Sequence, residues 1–358
     1  MRSRRAIPSR TGPLEHRRKA PFSFRHPVSA SVPIIAAFLQ IAGLVLPAAA
    51  FESDPYLALR VELADAAPAI NEFLNSEIEE AVDQINAEAT IERCEAMPGK
   101  IFSHLFSNLL SSRLKRFLEH SPRIERFPED DLGYWQYLRA SIYRRPIFPY
   151  IVPMSSIIEV GGVRVGVDKF GHMLGEGRRY YRIYRRGLAK GRAREDAERR
   201  AILRRLRWER ILLGGWADGV LSFADLEANY QGLKLARAMC EGPAPYLVRR
   251  AGAWSIRRPI QIEDFVVPAL DESFYPNRFL RGRWKRVRPI LESEHCSLLA
   301  RPEVQARFER YRQTDQLNLS RQFVEEHFAE RGIPLESHSL QAVCASKEAG
   351  EISASDGS

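Results

Sequence analysis

Cysteine is scarce in this chain. Four residues in 358, Cys94, Cys240, Cys296 and Cys344, are too far apart to form a C-x-x-C pair. That spacing excludes a zinc knuckle and a thioredoxin-type redox site, and leaves two disulfides or buried thiols as the use of the sulfur. Catalytic signatures are missing too: no G-x-S-x-G elbow, H-E-x-x-H helix, P-loop or dinucleotide fingerprint occurs downstream of residue 50. No repeat and no low-complexity tract is present, which excludes solenoids and arrays. Charge is absent over one stretch only, between Arg25 and Glu52.

That uncharged stretch is informative because of what flanks it. Eight cations (Arg2, Arg4, Arg5, Arg10, Arg17, Arg18, Lys19 and Arg25) precede it against a single acid, Glu15. An apolar run from Val32 to Pro47 follows, and then Ala48-Ala49-Ala50. A basic, apolar, small-residue order reads as a signal peptide over residues 1–50, cleaved after Ala50, with the mature chain starting at Phe51. The alternative is an uncleaved inner-membrane anchor, for which Pro33 and Pro47 leave a short apolar core. A lipoprotein is disfavoured, since the first cysteine is Cys94. The leader holds seven of the nine formal positive charges, so the 308 residues after it are near +2. A nucleic-acid partner argued from the whole-chain charge would rest on the leader, and none is expected. The expected location is the periplasm or envelope, where an even number of cysteines suits disulfide formation, with Cys296–Cys344 bracketing the C-terminal helices as the preferred pair.

The pattern after Phe51 predicts a mostly α fold: a single helical domain over residues 51–347 with one small β-hairpin and a Pro-rich wrapping segment, then a small, polar, disordered tail at 348–358. Apolar residues recur at three- and four-residue spacing from Pro55 to Ile91, with a break expected at Pro68, and again from Ile101 to Glu119. Ile157–Val165 contains two β-rich runs separated by Gly161-Gly162, a hairpin signal. Helices are expected from Asp168 to about Arg186, from Arg194 to Leu213, from Ser222 to Cys240, and near Glu303–Arg312 and Ser320–Arg331. Prolines 243, 245, 259, 268 and 276 are too closely spaced for long helices between Glu241 and Pro289.

One constellation carries chemistry-competent groups at useful spacing. In a helix starting at Asp168, Asp168, His172 and Glu176 lie at i, i+4 and i+8 along one face, with Lys169 beside them. A carboxylate and an imidazole one turn apart share a divalent metal or form an oriented base. Asp168 is also well placed as an N-cap, and Gly171 and Gly175 to admit a neighbouring helix. Further on, Ser222 and Asp225 fit the S-x-x-D form of a capping box. Asp218 and Asn229 are not explained by that cap, and antiparallel packing of the two helices would bring Asp218, Asp225 and Asn229 towards His172. The candidate catalytic residues are therefore His172, Asp168 and Lys169. The candidate metal ligands are Asp168, His172, Glu176, Asp218, Asp225 and Asn229, for a divalent ion.

The Gly166-Val167-Asp168-Lys169-Phe170-Gly171-His172 segment resembles the D-K-x-x-H signature of VanZ-like and YfiM-like bacterial envelope proteins, and Asp218–Tyr230 is similar to segments of uncharacterised exported proteins. The resemblance spans about 70 residues. It implies an envelope location and directs attention to Asp168, Lys169 and His172. The chain departs from VanZ-like proteins in lacking a set of transmembrane helices.

Arg178–Arg210 holds thirteen Arg and one Lys against four acids. One reading is a solvated helical face with i, i+4 pairs such as Glu195 with Arg199. The other is contact with an anionic envelope lipid or glycan. Two functions follow from these features. The first is a non-catalytic structural or binding protein in which the Asp-Lys-His cluster locks the fold. The second is an envelope hydrolase of a glycan or lipid, with a divalent metal as a candidate cofactor.

Overall fold

The computed structural model describes residues 52–89, 91–106, 112–129, 132–145, 154–208, 219–332 and 338–355. The expected signal peptide and Asp218 lie outside these residues. Helices dominate: α1 (Ala67–Glu88), α2 (Met97–Leu105), α3 (Arg113–His120), α4 (Tyr134–Ala140), α5 (Val167–Gly171), α6 (Gly177–Leu188), α7 (Arg194–Trp208), α8 (Phe223–Cys240), α9 (Arg281–Ile290), α10 (Cys296–Leu299), α11 (Pro302–Thr314), α12 (Leu319–Ala329) and α13 (Leu340–Ser355). Strands come only in pairs: β1 (Glu52–Ser53) with β2 (Met154–Ser155), β3 (Ile157–Val160) with β4 (Val163–Gly166), β5 (Val220–Leu221) with β8 (Arg278–Phe279), and β6 (Leu247–Arg250) with β7 (Ala253–Ile256). Among the described residues no helix is long and apolar enough to cross a membrane.

The expected hairpin is β3–β4, registered Val160 to Val163 across Gly161-Gly162. Both glycines have positive φ, 58° and 80°, as a two-residue turn of this hand requires. A second hairpin, β6–β7, lies in the Pro-rich wrap and turns at Ala251-Gly252, with φ 47° and 85°. It escaped the sequence reading because Ala-Gly is a weak turn signal. Pro68 does not break a helix. It occupies the first turn of α1, where a missing N–H leaves no intrahelical bond unmade. The helix read from Ile101 to Glu119 is two, since α2 ends at Leu105 and α3 starts only at Arg113. The backbone of α13 is helical to Ser355, through the segment read as a tail.

The centre of the fold is α8, buried on nearly every side. It packs parallel to the continuous helical rod of α5, a π-helical turn (His172–Glu176) and α6. Asp225 faces His172, Gly232 lies on Met173 and Gly177, and near the far ends Arg237 covers the Tyr184 ring while Tyr184 donates to Glu241. The antiparallel packing that the Asp218–Asn229 reading required is thus not the one this pair adopts. Two glycines set the approach: a Cβ on Gly232 would fall 1.9 Å from the Met173 carbonyl oxygen. Gly171 and Gly175 have another role, making room for the Phe106 ring rather than for a helix. α7 folds back on α6, Gly187 against Ala197. A part-buried ion-pair network then ties α7 to α8, with Arg237 on Glu198 and Glu241, and Tyr230 donating to Glu198. Arg199 pairs with Glu326 of α12 in place of the expected Glu195.

Two disulfides close the fold, Cys94–Cys240 and Cys296–Cys344, and no cysteine is free. The second is the preferred pair of the sequence reading. Their presence suits an oxidising compartment.

Beside the second disulfide, His295 is fully buried, its ring 5.8 Å from that of Tyr56 and both ring nitrogens without a hydrogen-bond partner. Burial, with the Arg60 charge adding to it, lowers the imidazole from 6.5 to about 4, Glu294 opposing. The folded state therefore binds this proton less readily than the unfolded chain. Its contribution is complete above about pH 6.5 and is lost as pH falls towards 4, by about 3 kcal/mol. Urea unfolding at pH 7.5 and 4.5 is expected to show a smaller acid loss in His295→Leu than in wild type. Equal acid losses in the two proteins would remove His295 from the account.

Candidate functional site

Gly166 caps α5 with extended backbone, so the helix begins at Val167 and Asp168 is not its N-cap. The absence of a side chain at Gly166 is required, since a Cβ there would meet Ser53 Oγ at 2.2 Å and Asp168 Oδ1 at 2.3 Å. Released from capping, Asp168 turns inward, where Ser53 Oγ donates to Oδ1 at 3.4 Å. Lys169 follows it into the core, 1 % exposed. Its ammonium lies 2.6 Å from Asp168 Oδ2, 2.7 Å from Asp225 Oδ1 and 3.0 Å from Glu272 Oε1. His172, one turn on, puts Nε2 3.3 Å from Asp225 Oδ2 and is the partly open member, its side chain 15 % exposed.

Asp225 arrives through the predicted cap. Ser222 Oγ accepts from the Asp225 backbone N–H at 3.1 Å and donates to Glu272 Oε1 at 2.7 Å. The Asp225 carboxylate goes to Lys169 and His172 rather than back along its own backbone. Glu272, contributed by the Pro-rich wrap, also accepts from Asn277 at 3.1 Å. The cluster therefore joins four chain segments: β1, α5 with its π turn, the start of α8, and the wrap.

The electrostatics follow from this crowding. Burial works against the Lys169 charge, but Asp168, Asp225, Glu272 and Glu52 outweigh it and hold the ammonium well above its ordinary value. Burial pushes Asp225 up, yet His172 and Lys169, with hydrogen bonds from Lys169 and Ser222, bring it below the usual carboxylate range. Glu272 goes the other way. Burial raises it, Asp168 and Asp225 add to the rise, and Lys169 only partly opposes. With one ammonium shared among several carboxylates, the buried Glu272 is shifted towards its protonated form.

The candidate ligands divide. Asp168, His172 and Asp225 each offer one atom within 4.8 Å of the others, a set able to serve a divalent ion. The Lys169 ammonium already faces both carboxylates, so a cation is built into the chain. Glu176 does not join them. The π turn adds a residue to the helical register, and Glu176 pairs with Arg179. Asn229 is fully buried one turn beyond Asp225, its amide without a hydrogen-bond partner. Glu272, Ser53 and Glu52 escaped the sequence reading. The only local signal for Glu272 was the acid pair Asp271-Glu272 inside an otherwise apolar, aromatic stretch.

Of the Arg178–Arg210 face, Arg178 donates to Ser103, while Arg185 and Arg194 reach Glu95 and Glu241. Arg182, Arg186, Arg192, Arg200 and Arg204 are exposed. In comparisons with family models, curated proteins and solved structures, the chain finds no match.

Proposed function

We propose that this chain is an exported envelope protein with a non-catalytic, structural or binding role, in which Asp168, Lys169 and His172 form a buried polar lock. The observation that carries this reading is the Lys169 ammonium, sealed from solvent within 3.0 Å of three carboxylates from three separate segments. A reacting group needs access to substrate, whereas a lock needs its members paired and enclosed. The two disulfides and the D-K-x-x-H resemblance support the envelope location. The exposed arginines of α6 and α7 offer an anionic lipid or glycan a surface.

A second reading, an envelope hydrolase of a glycan or lipid, draws on His172. Its partial exposure and its contact with Asp225 make an oriented base at the edge of the cluster, and Asp168 is the third atom of the ligand-capable set. His172→Ala separates the two. The lock reading expects a loss of about 2 kcal/mol, because Asp225 keeps its burial and loses a partner, with cellular function falling in step with stability. An unchanged melting profile with abolished function would refute the lock and favour the hydrolase.

A further inference from the structure

Beyond Glu272 the wrap leaves the cluster, and Phe274, Tyr275 and Pro276 form one wall of a separate cleft of about 540 Å³. Asp315 at the end of α11, Arg321 of α12 and Gln341 of α13 line it too. The volume falls within the roughly 300–1,000 Å³ of small-molecule sites. The polar side is built and balanced. Arg321 is ion-paired with Asp315 and lies over the Tyr275 ring, 4.6 Å from its centroid. Three polar atoms of this lining are nonetheless buried without a well-formed hydrogen bond, Tyr275 Oη, Arg321 Nε and Gln341 Oε1, with Arg321 lying against the Tyr275 hydroxyl. The Tyr275 side chain is more than nine-tenths buried, so its hydroxyl is held in place by the surrounding rings.

A buried hydroxyl, a guanidinium N–H and an amide oxygen left open together ask for a ligand that both donates and accepts. Arg312 and Glu325 line the cleft as well, so two cations stand against two carboxylates and the lining as a whole does not select an anion. The half-buried Phe274 ring and the Pro276 carbons beside it offer stacking to a flat apolar surface. An uncharged molecule with an apolar C–H face and a rim of hydroxyls meets all three conditions. We propose that this cleft binds a neutral saccharide, one sugar ring stacking on the Phe274–Pro276 wall and its hydroxyls reaching Tyr275, Arg321 and Gln341. The site shares no residue with the Lys169 cluster and does not depend on the lock.

Isothermal titration calorimetry and saturation-transfer NMR on the disulfide-bonded chain, with the tetramers of β-1,4-linked N-acetylglucosamine, cellulose-type glucose and maltose as probes, test it. At least one tetramer is expected to bind with Kd below about 1 mM, with ring C–H protons saturated most strongly. Tyr275→Phe, which keeps the ring, and Gln341→Ala are each expected to weaken it roughly tenfold at unchanged melting temperature, the loss of one hydrogen bond to a ligand hydroxyl. Binding of none of the tetramers, binding unaltered in both variants, or displacement only by an aromatic carboxylate such as 4-hydroxyphenylacetate would each overturn the proposal.

Discussion

Lys169→Met is expected to lower stability by about 4 kcal/mol at neutral pH, measured as a shift of the urea midpoint at unchanged m-value. The methionine fills a similar volume, so the loss is electrostatic rather than a cavity. Removing the ammonium leaves Asp168, Asp225 and Glu272 buried around an apolar group, and Glu52 with them. Breaking a buried ion cluster by deleting one partner costs more than the intact cluster contributes, because the remaining charges keep their desolvation penalty. The pH dependence has a definite sign. Without Lys169 the carboxylates are raised in the folded state above their unfolded values, so the folded variant takes up protons more readily than the unfolded chain. Its deficit is then largest at pH 7 and shrinks towards pH 4.5, where protonation relieves the repulsion. A deficit below 1 kcal/mol at pH 7, or one that grows in acid, would show that these carboxylates do not depend on the lysine.

The members of this cluster were unequally readable in the amino-acid sequence. Asp168, Lys169 and His172 are neighbours on one helix, and a helix repeats every 3.6 residues, so local spacing brings them together. Asp225 was reachable through the cap signal of Ser222, although its carboxylate turned out to serve Lys169. Glu272 was out of reach. Nothing within ten residues of it repeats with a helical or strand period, and it meets Lys169 only because the wrap crosses the start of α8. Ser53 and Glu52 were obscured differently, standing directly after the leader-like segment, where a mature chain would be expected to fray. Instead β1 pairs with β2 and both residues are buried. The helical class was legible for the opposite reason, since long amphipathic segments such as α1 and α8 declare themselves over many turns. What periodicity could not report was the π turn over His172–Glu176, nor that Glu176 pairs with Arg179. Nor could it report that α8 runs parallel to the α5–α6 rod, since α7, which lies between them in the chain, folds back on α6.

Replacing both cysteines of the Cys94–Cys240 pair by alanine is expected to cost about 5 kcal/mol, the largest loss of any change considered for this chain. The bond joins residues 146 apart and fastens the end of α8 to the segment leading into α2. Closing so long a loop removes more freedom from the unfolded chain than closing a short one. On the chain-entropy account the stabilisation is about 5 kcal/mol for this separation and about 4 kcal/mol for the 48-residue separation of Cys296–Cys344. The two pairs also differ in what they enclose. The first loop contains the β3–β4 hairpin, α5, the π turn and nearly all of α8, so its removal frees the lysine cluster's own scaffold, whereas among the described residues the second loop holds α10, α11, α12 and the start of α13. Urea unfolding of the two double variants, each with its remaining disulfide intact, should therefore rank the Cys94/Cys240 variant below the Cys296/Cys344 variant by about 1 kcal/mol. The reverse order would mean that strain or residual unfolded structure, rather than loop entropy, governs how these bonds hold the fold.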